Sequence, residues 1–557
     1  YNWGRTGLTS MEGAFYHCTN LAKIDTDRTE AFAKVTTFEQ AFRYCENLAE
    51  IPQGLLDNAV ELLTVADMFY QAKIITSFPA DLLANCPKLT SVYSLFNGTA
   101  IESIDGNIFA NNPELTDAGL LFANTTALKS VPANLFANNK KITDLKSLFA
   151  SSVIESVPEG LFDGLTNVET FYMTFQNTVN LRSIPAGIFA DTPNVTNFKT
   201  TFSGSGITEI PDGLFAGCSK VETFMSCFNN CANLQRIPAN VFKDSGAFTT
   251  VEKDGFNNIF KGCVLITEVP EGLFDGFVNA TQFNSAFEGC TSLVTLPAGL
   301  FNTEAISFSN TFKGCTALKS LPQGVLRNMS KVTSFSGLFS DCTGLEEIGA
   351  NILEGCTSCT NISSMFKGCT NLKTISPDAF AGATAITTIA SLFDGCTSLE
   401  TVPEGLFAPM TRLATASNVF SASGITSVPA GLFASNPAIT TFSKIFYNCT
   451  SLVSLPDGLF ASNSQVKVYT SAFEGCTALE SVGVLFGPST ASVTCDNLFY
   501  GCTALKTLPE GIFTGLTGAS TFEEAFYGCS ALETLPAGLF EANVNVTTVT
   551  KCFQDCI

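Results

Sequence analysis

A single histidine (His17), a single tryptophan (Trp3) and a charged fraction of only 14% leave the 557-residue chain few of the groups that catalysis or metal binding needs. One histidine cannot build a histidine-based metal centre. Its neighbour Cys18 recurs at a fixed repeat position, which reads as a buried structural site rather than a nucleophile–base pair. One tryptophan argues against a tryptophan-lined carbohydrate cleft. No G-x-G-x-x-G, phosphate-loop or EF-hand pattern occurs in a suitable context, and Asp25-Thr26-Asp27 is too short for a calcium loop. Cys356-Thr-Ser-Cys359 is a lone C-x-x-C without a second pair or a nearby histidine, which argues against zinc. No catalytic residue, metal or cofactor is expected, and the chain does not read as an enzyme.

Other scarcities bear on partners and organisation. No apolar stretch approaches the ~18 residues that span a bilayer, although mean hydropathy is positive at +0.26. No linker or composition shift divides the chain, so residues 1–557 read as one continuous domain. Basic residues are outnumbered 29 to 50, and a net charge of −21 argues against nucleic acid or anionic lipid as the main partner. Low charge does not mean disorder here, because 50 phenylalanines are spread evenly along the chain. The sequence opens at Tyr1 without an initiator Met or a signal segment, so no targeting segment is read from it.

What is abundant is repetition. Val131-Pro-Ala-Asn-Leu-Phe136, Val157-Pro-Glu-Gly-Leu-Phe162, Leu296-Pro-Ala-Gly-Leu-Phe301 and Leu535-Pro-Ala-Gly-Leu-Phe540 are copies of one phrase. Its first residue falls at 51, 78, 104, 131, 157, 184, 210 and 237, then at 269 and 296, in steps of 26 or 27 with one of 32. A full unit reads roughly L-x-x-[LIV]-P-x-G-L-F, a variable stretch, V-T-x-F-x-x-x-F, then x-G-C-T-x, and about twenty units fill the chain. Leu128 to Val131 supplies the inward residues of a short strand, which Pro limits because it lacks the ladder donor. Gly then allows the bend that returns Leu-Phe to the core. Val332-Thr-Ser-Phe335-Ser-Gly-Leu-Phe339 spaces its apolar groups for a helical or 3-10 turn, with a second short strand near Val-Thr as the alternative. One such unit cannot close a core, so stacked neighbours must bury these faces. At ~4.8 Å per strand, the array predicts a rod or arc of about 100 Å.

Twenty-one cysteines would suggest disulfides by count alone. Fourteen of them, from Cys18 and Cys45 to Cys529 and Cys556, fall three residues after the second repeat Phe. Where Cys is absent the same position holds Ala72, Thr99, Thr125, Ser152, Thr178, Ser205 or Ser423. A position shared by Cys, Ala, Ser and Thr selects for small volume, so a buried ladder of free thiols is expected.

Ala14-Phe15-Tyr-His-Cys18-Thr-Asn-Leu21, Ala41-Phe42-Arg-Tyr-Cys45-Glu-Asn-Leu48-Ala-Glu-Ile51-Pro52, Phe366-Lys-Gly-Cys369-Thr-Asn-Leu372 and Phe526-Tyr-Gly-Cys529-Ser-Ala-Leu532 share the pattern A-F-x-x-C-x-x-L-x-x-I. The chain thereby resembles the BspA-like leucine-rich-repeat surface proteins of Bacteroidetes and related anaerobes, with each turn lengthened by Pro-x-Gly-Leu-Phe. The fold this implies is an α/β leucine-rich-repeat solenoid of about twenty turns, with a parallel β-sheet on one face and short helical or 3-10 turns and loops on the other. The function it implies is a non-enzymatic cell-surface protein for adhesion or ligand binding, presented to a protein, host or matrix partner. The alternative is an accessory surface lipoprotein of an outer-membrane nutrient-uptake complex that captures glycans or peptides. It would be anchored through a lipidated N-terminus preceding this sequence.

Two sets of residues are candidates for contact. The first variable site after the strand Leu carries Lys129, Glu155 and Arg182, then Lys319, Glu346, Lys373 and Glu400, then Glu480, Lys506 and Glu533. This row reads as an alternating charge ladder and as the ligand-facing edge of the sheet. Tyr447, Tyr500 and Tyr527, like Tyr16 and Tyr70, each come directly after the second repeat Phe, with Tyr44 one place further on; they offer stacking platforms for sugars or peptides. The long step implies an insertion around 243–257, read as a bulged loop or protruding contact. Trp3 is expected in an N-terminal cap around 1–10, and an absent segment or partner is expected to cover the last turn. Asn97, Asn194, Asn361 and Asn545 begin N-x-[ST] triplets that arise from the Thr-rich repeat and imply no glycan in a bacterium.

Overall fold

The computed structural model describes residues 7–26, 29–245, 255–277, 279–301 and 305–556. It divides into two compact units, Tyr1–Ile266 with Gly272–Ala280, and Thr267–Glu271 with Thr281–Ile557. Trp3 and the rest of 1–6, Asp27 of the Asp25–Asp27 motif, and 246–254 within the insertion lie outside the described residues.

Each repeat makes one turn of a solenoid, and two parallel ladders join successive turns. The more continuous ladder passes through V-T-x-F. In unit 1 it runs by single parallel bridges from Ser10 through Thr37, Thr64 and Ser91 to Thr223. In unit 2 it runs from Gln282 through Ser307, Ser334 and Asn361 to Val468 and Thr494. There β5 (Val493–Thr494) pairs with β6 (Ala519–Thr521). The Val-Thr strand alternative is therefore realised. The second ladder lies at the phrase itself, where β1 (Glu347–Ile348) pairs with β2 (Thr374–Ile375) and β3 (Ser454–Leu455) with β4 (Ser481–Val482).

Strands stay this short because their last side chain closes them. The side chain at x of V-T-x accepts the N–H two residues on, as Thr37 Oγ1 does from Glu39 and Asp144 Oδ1 from Lys146, and so ends the strand. Two type II turns come next. Ala41 N–H donates to Phe38 O at 3.0 Å, with Gln40 at φ 57° between them; Cys45 N–H donates to Phe42 O at 3.1 Å, with Tyr44 at φ 61°. The intervening N–H groups point to the next turn: Gln40 to Ala66 O, Phe42 to Met68 O and Tyr44 to Tyr70 O. Left-handed residues cannot continue a helix, so the apolar spacing that suggests 3-10 structure here comes from consecutive β-turns. Among the described residues the 3-10 helix is the single turn Thr29–Phe32.

Between the ladders the core is a column of phenylalanine. In unit 1 the second repeat Phe stacks from Phe122 through Phe149, Phe175, Phe202 and Phe228 to Phe260. In unit 2 the column runs from Phe287 to Phe553, with ring centroids 5.1 Å apart at Phe473–Phe499 and 5.9 Å at Phe339–Phe366. These separations suit offset aromatic pairs, and each buried ring contributes about 1.5–3 kcal/mol by removal from water. The insertion leaves the unit 1 column intact. Phe228 and Phe260 stack at 5.5 Å, and Phe224 N–H donates to Gly255 O at 2.9 Å.

Candidate binding surface

All 21 cysteines are free thiols, and the ladder position has a duty beyond small volume. The thiol of Cys342 donates to Phe312 O at 3.1 Å, and that of Cys449 to Phe420 O at 2.9 Å, each to the stacked Phe one turn earlier. Thr125 and Thr178 satisfy their own turn's Phe carbonyl instead. Burial pushes the Cys342 thiol up to about 12, so these thiols are poor nucleophiles. Cys18 departs from the expected burial. It is exposed, because among the described residues only the following turn packs against it. Cys356 and Cys359 are buried, and their thiols turn to different carbonyls, those of Leu326 and Asn361. Among the described residues no three His, Cys, Asp or Glu side chains are grouped to hold a metal.

The charged row pairs along itself. Lys129 meets Glu155 at 2.9 Å, Lys373 meets Glu346 at 3.3 Å and Lys506 meets Glu480 at 3.0 Å, all well exposed. Arg182 donates to the carbonyl of Gly206 at 3.3 Å. Lys319 and Glu400 take part through their carbonyls, which accept from Glu346 N–H and Thr426 N–H. Most of the row's side chains are thus spent on a neighbouring turn, which weakens the reading of the row as a contact face.

The tyrosines behave differently at the two places where they gather. In unit 2, Tyr500 and Tyr527 stack at 4.8 Å and 6°, while Tyr447 stands apart under the Lys444 ammonium at 5.0 Å. The Asp555 carboxylate beside it holds the Tyr527 hydroxyl above its ordinary value. In unit 1, Tyr16, Tyr44 and Tyr70 step edge to face at 5.9 and 5.3 Å, and His17 lies 5.7 Å from Tyr44. The Arg43 guanidinium lies 4.1 Å from the Tyr70 ring centre and pairs with Asp67. Burial would lower Arg43, but Asp67 and the two tyrosines hold it above its ordinary value. Tyr16 is 48% exposed, and the others are half-buried or exposed. Sequence reading found these tyrosines by position but missed Arg43 and Asp67, which no repeat rule marks.

Asn361 is a strand-end residue that accepts from Ser363 N–H, and Asn97 is buried; both belong to the repeat's own bonding, as expected for triplets that arise from it.

Comparison with known proteins agrees with this architecture. The BspA-type leucine-rich-repeat region matches in six copies, over residues 76–222, 129–263 and 433–557, more than half of the chain. A family described as Mycoplasma protein of unknown function matches 281–404. No curated protein matches the chain. Among solved structures, a leucine-rich-repeat protein of Bacteroides ovatus is 18% identical over 49% of this chain and 77% of its own, with a TM-score of 0.24. One of Leptospira interrogans is 11% identical over 76% and 86%, with a TM-score of 0.30. The ectodomain of the Arabidopsis thaliana receptor kinase GASSHO1/SCHENGEN3 is 13% identical over 91% and 82%, with a TM-score of 0.25. With its period, its A-F-x-x-C-x-x-L signature and the matched residues in agreement, the chain belongs to the BspA-type leucine-rich-repeat family.

Proposed function

We propose that the chain is a non-enzymatic cell-surface protein that binds a protein partner of the host or matrix through the edge of unit 1. Leucine-rich repeats typically serve protein binding, and BspA-type proteins are generally non-enzymatic and found at surfaces. No helix among the described residues is long and apolar enough to cross a membrane. The observation that carries the reading is the Tyr16–Arg43–Tyr44–Tyr70 cluster. Tyrosine and arginine dominate the energetics of protein interfaces, because each combines a large contact area with a polar tip. Here their order is set by neighbouring turns, so little side-chain freedom remains to be lost on binding.

The test is binding of the full chain to immobilised collagen, laminin and fibronectin, with the Tyr44→Ala/Tyr70→Ala variant alongside. One of the three should bind, and the variant should weaken it by roughly tenfold or more, the loss expected of a hot-spot residue. Binding that the variant leaves unchanged would count against this surface, and binding to none of the three against the partner class.

A further inference from the structure

One turn of unit 2 departs from its neighbours. Where they read Leu455-Pro-Asp-Gly-Leu-Phe460 and Leu508-Pro-Glu-Gly-Ile-Phe513, it reads Val482-Gly-Val-Leu-Phe486, and the lost residue reappears between Ser489 and Val493. Without Pro-x-Gly the β-turn is gone. The chain runs extended instead, joined to its neighbours by the bridges Phe460↔Phe486 and Ser489↔Leu516. It lies so close to them that a Cβ on Gly487 would fall 2.0 Å from the Ala461 carbonyl oxygen. The flanking turns keep their bends, so Ser464 and Gln465 wall one side of the extended segment and Thr514 and Thr517 the other. The groove between them holds about 660 Å³, within the ~300–1,000 Å³ of small-ligand sites.

We infer that this groove binds a neutral oligosaccharide. No ionisable side chain lines it, in a chain whose net charge is −21. A phosphate would find no cation there and a basic ligand no carboxylate. The hydroxyls are already oriented. Ser489 Oγ donates to Ser464 O at 2.9 Å, Thr514 Oγ1 to Gly511 O at 2.8 Å and Thr517 Oγ1 to Ser489 O at 3.2 Å. With their protons committed to the protein, the exposed Thr514 and Thr517 oxygens offer lone pairs to the O–H groups of a sugar, while the buried Ser489 Oγ already accepts from Ala491 N–H and fixes the groove's shape. The Gln465 amide adds N–H donors, and the exposed Pro488 ring supplies apolar surface for the C–H face of a sugar, while Phe486 turns into the aromatic core beneath it. A peptide strand would need a free run of backbone N–H and C=O groups, but Ser489 already commits its N–H to Gly515 O and its C=O to Thr517.

The experiment is calorimetric titration of the full chain with maltohexaose, cellohexaose, xylohexaose, mannohexaose and chitohexaose, with polygalacturonate as the acidic control and a neutral Gly-Ser peptide as the rival. At least one neutral hexasaccharide should bind saturably. The exposed wall variants Gln465→Ala and Thr517→Arg should each weaken it by about tenfold, as expected for one or two lost hydrogen bonds, and Gln465→Ala should do so without moving the thermal midpoint. Tyr44→Ala in unit 1 should leave this binding as it is. The inference is overturned if no neutral hexasaccharide binds, if the wall variants bind as well as the parent, or if the peptide binds instead and is lost on Thr517→Arg.

Discussion

The Cys396 thiol donates to the carbonyl oxygen of Phe366, one turn earlier, at 3.2 Å. Its neighbours repeat the bond, Cys369 to Phe339 and Cys476 to Phe446, so the cysteine column links turn to turn beside the phenylalanine stack. The site is small and fully buried, and Ser or Thr fills it in other turns. Cys396→Ser and Cys396→Ala should therefore lower stability by about 1 kcal/mol or less, while Cys396→Leu should cost about 1–3 kcal/mol by overpacking. Thermal unfolding of the three variants measures this. A leucine variant as stable as the alanine one would show the column to be looser than its packing indicates.

The same burial makes stability depend on alkaline pH. A thiol's ordinary value is 9.0, and Cys342 and Cys449 are each pushed up to about 12 in the folded chain, chiefly by desolvation. A raised folded-state pKa gives stability that is intact below 9 and is lost as pH rises towards 12, because the unfolded chain releases its proton first. Each such thiol removes on the order of 1 kcal/mol per pH unit in that window. The thermal midpoint should hold from pH 7 to 8.5 and then fall steeply. At pH 8 a thiol reagent should label Cys18 in the folded protein and all 21 cysteines after unfolding. A flat midpoint up to pH 11 would contradict the buried-thiol column.

For the charged row, the geometry gives a modest expectation. Lys373 and Glu346 sit 3.3 Å apart with both side chains half or more exposed, so water and salt screen them. A double-mutant cycle with Lys373→Ala and Glu346→Ala should return a coupling of about 0.2–1 kcal/mol that fades in high salt. A coupling well above that range would mean the row carries more of the stack than its exposure allows.

The repeat period, the buried small-residue column and the stacking of turns were all legible in the sequence, because each depends on residue type at a fixed spacing. The path of the chain within a turn was only half legible. Gly at the second residue of x-G-C-T announces a left-handed position, as at Gly262, Gly289 and Gly395. In other turns His17, Tyr44 and Gln71 adopt the same conformation, and nothing about those residues signals it. The Thr and Asp side chains that end the strands share no residue type that the repeat pattern would mark. A second buried column was missed altogether. Asn139 donates to Phe109 O and Asn112 O, and Asn463 to Phe433 O and Asn436 O, in a row shared with Ala59, Leu165 and Met410. Mixed polar and apolar occupancy hides such a row from any hydrophobicity rule. Among the candidate contact residues, the charge alternation was legible as pairing, whereas the Arg43–Asp67 pair rests on no repeat pattern.

The left-handed position also admits a test free of packing. Gly501 has φ 68°, its N–H donates to Tyr527 O at 2.7 Å, and a Cβ placed on it would meet nothing within 4 Å. Substitution there is felt through the backbone alone. Equivalent positions hold Asn124, Asn177 and Asn448 at φ 55–56°, so Gly501→Asn should be nearly neutral. Gly501→Ala should cost about 1 kcal/mol, the penalty of forcing an ordinary side chain into the left-handed region. Gly501→Val should cost more, since branching at Cβ makes that region worse still. Midpoints of thermal unfolding should fall in the order Gly, Asn, Ala, Val. An alanine variant as stable as the parent would mean that this turn changes type on substitution, and that the two consecutive type II turns are not required for stacking.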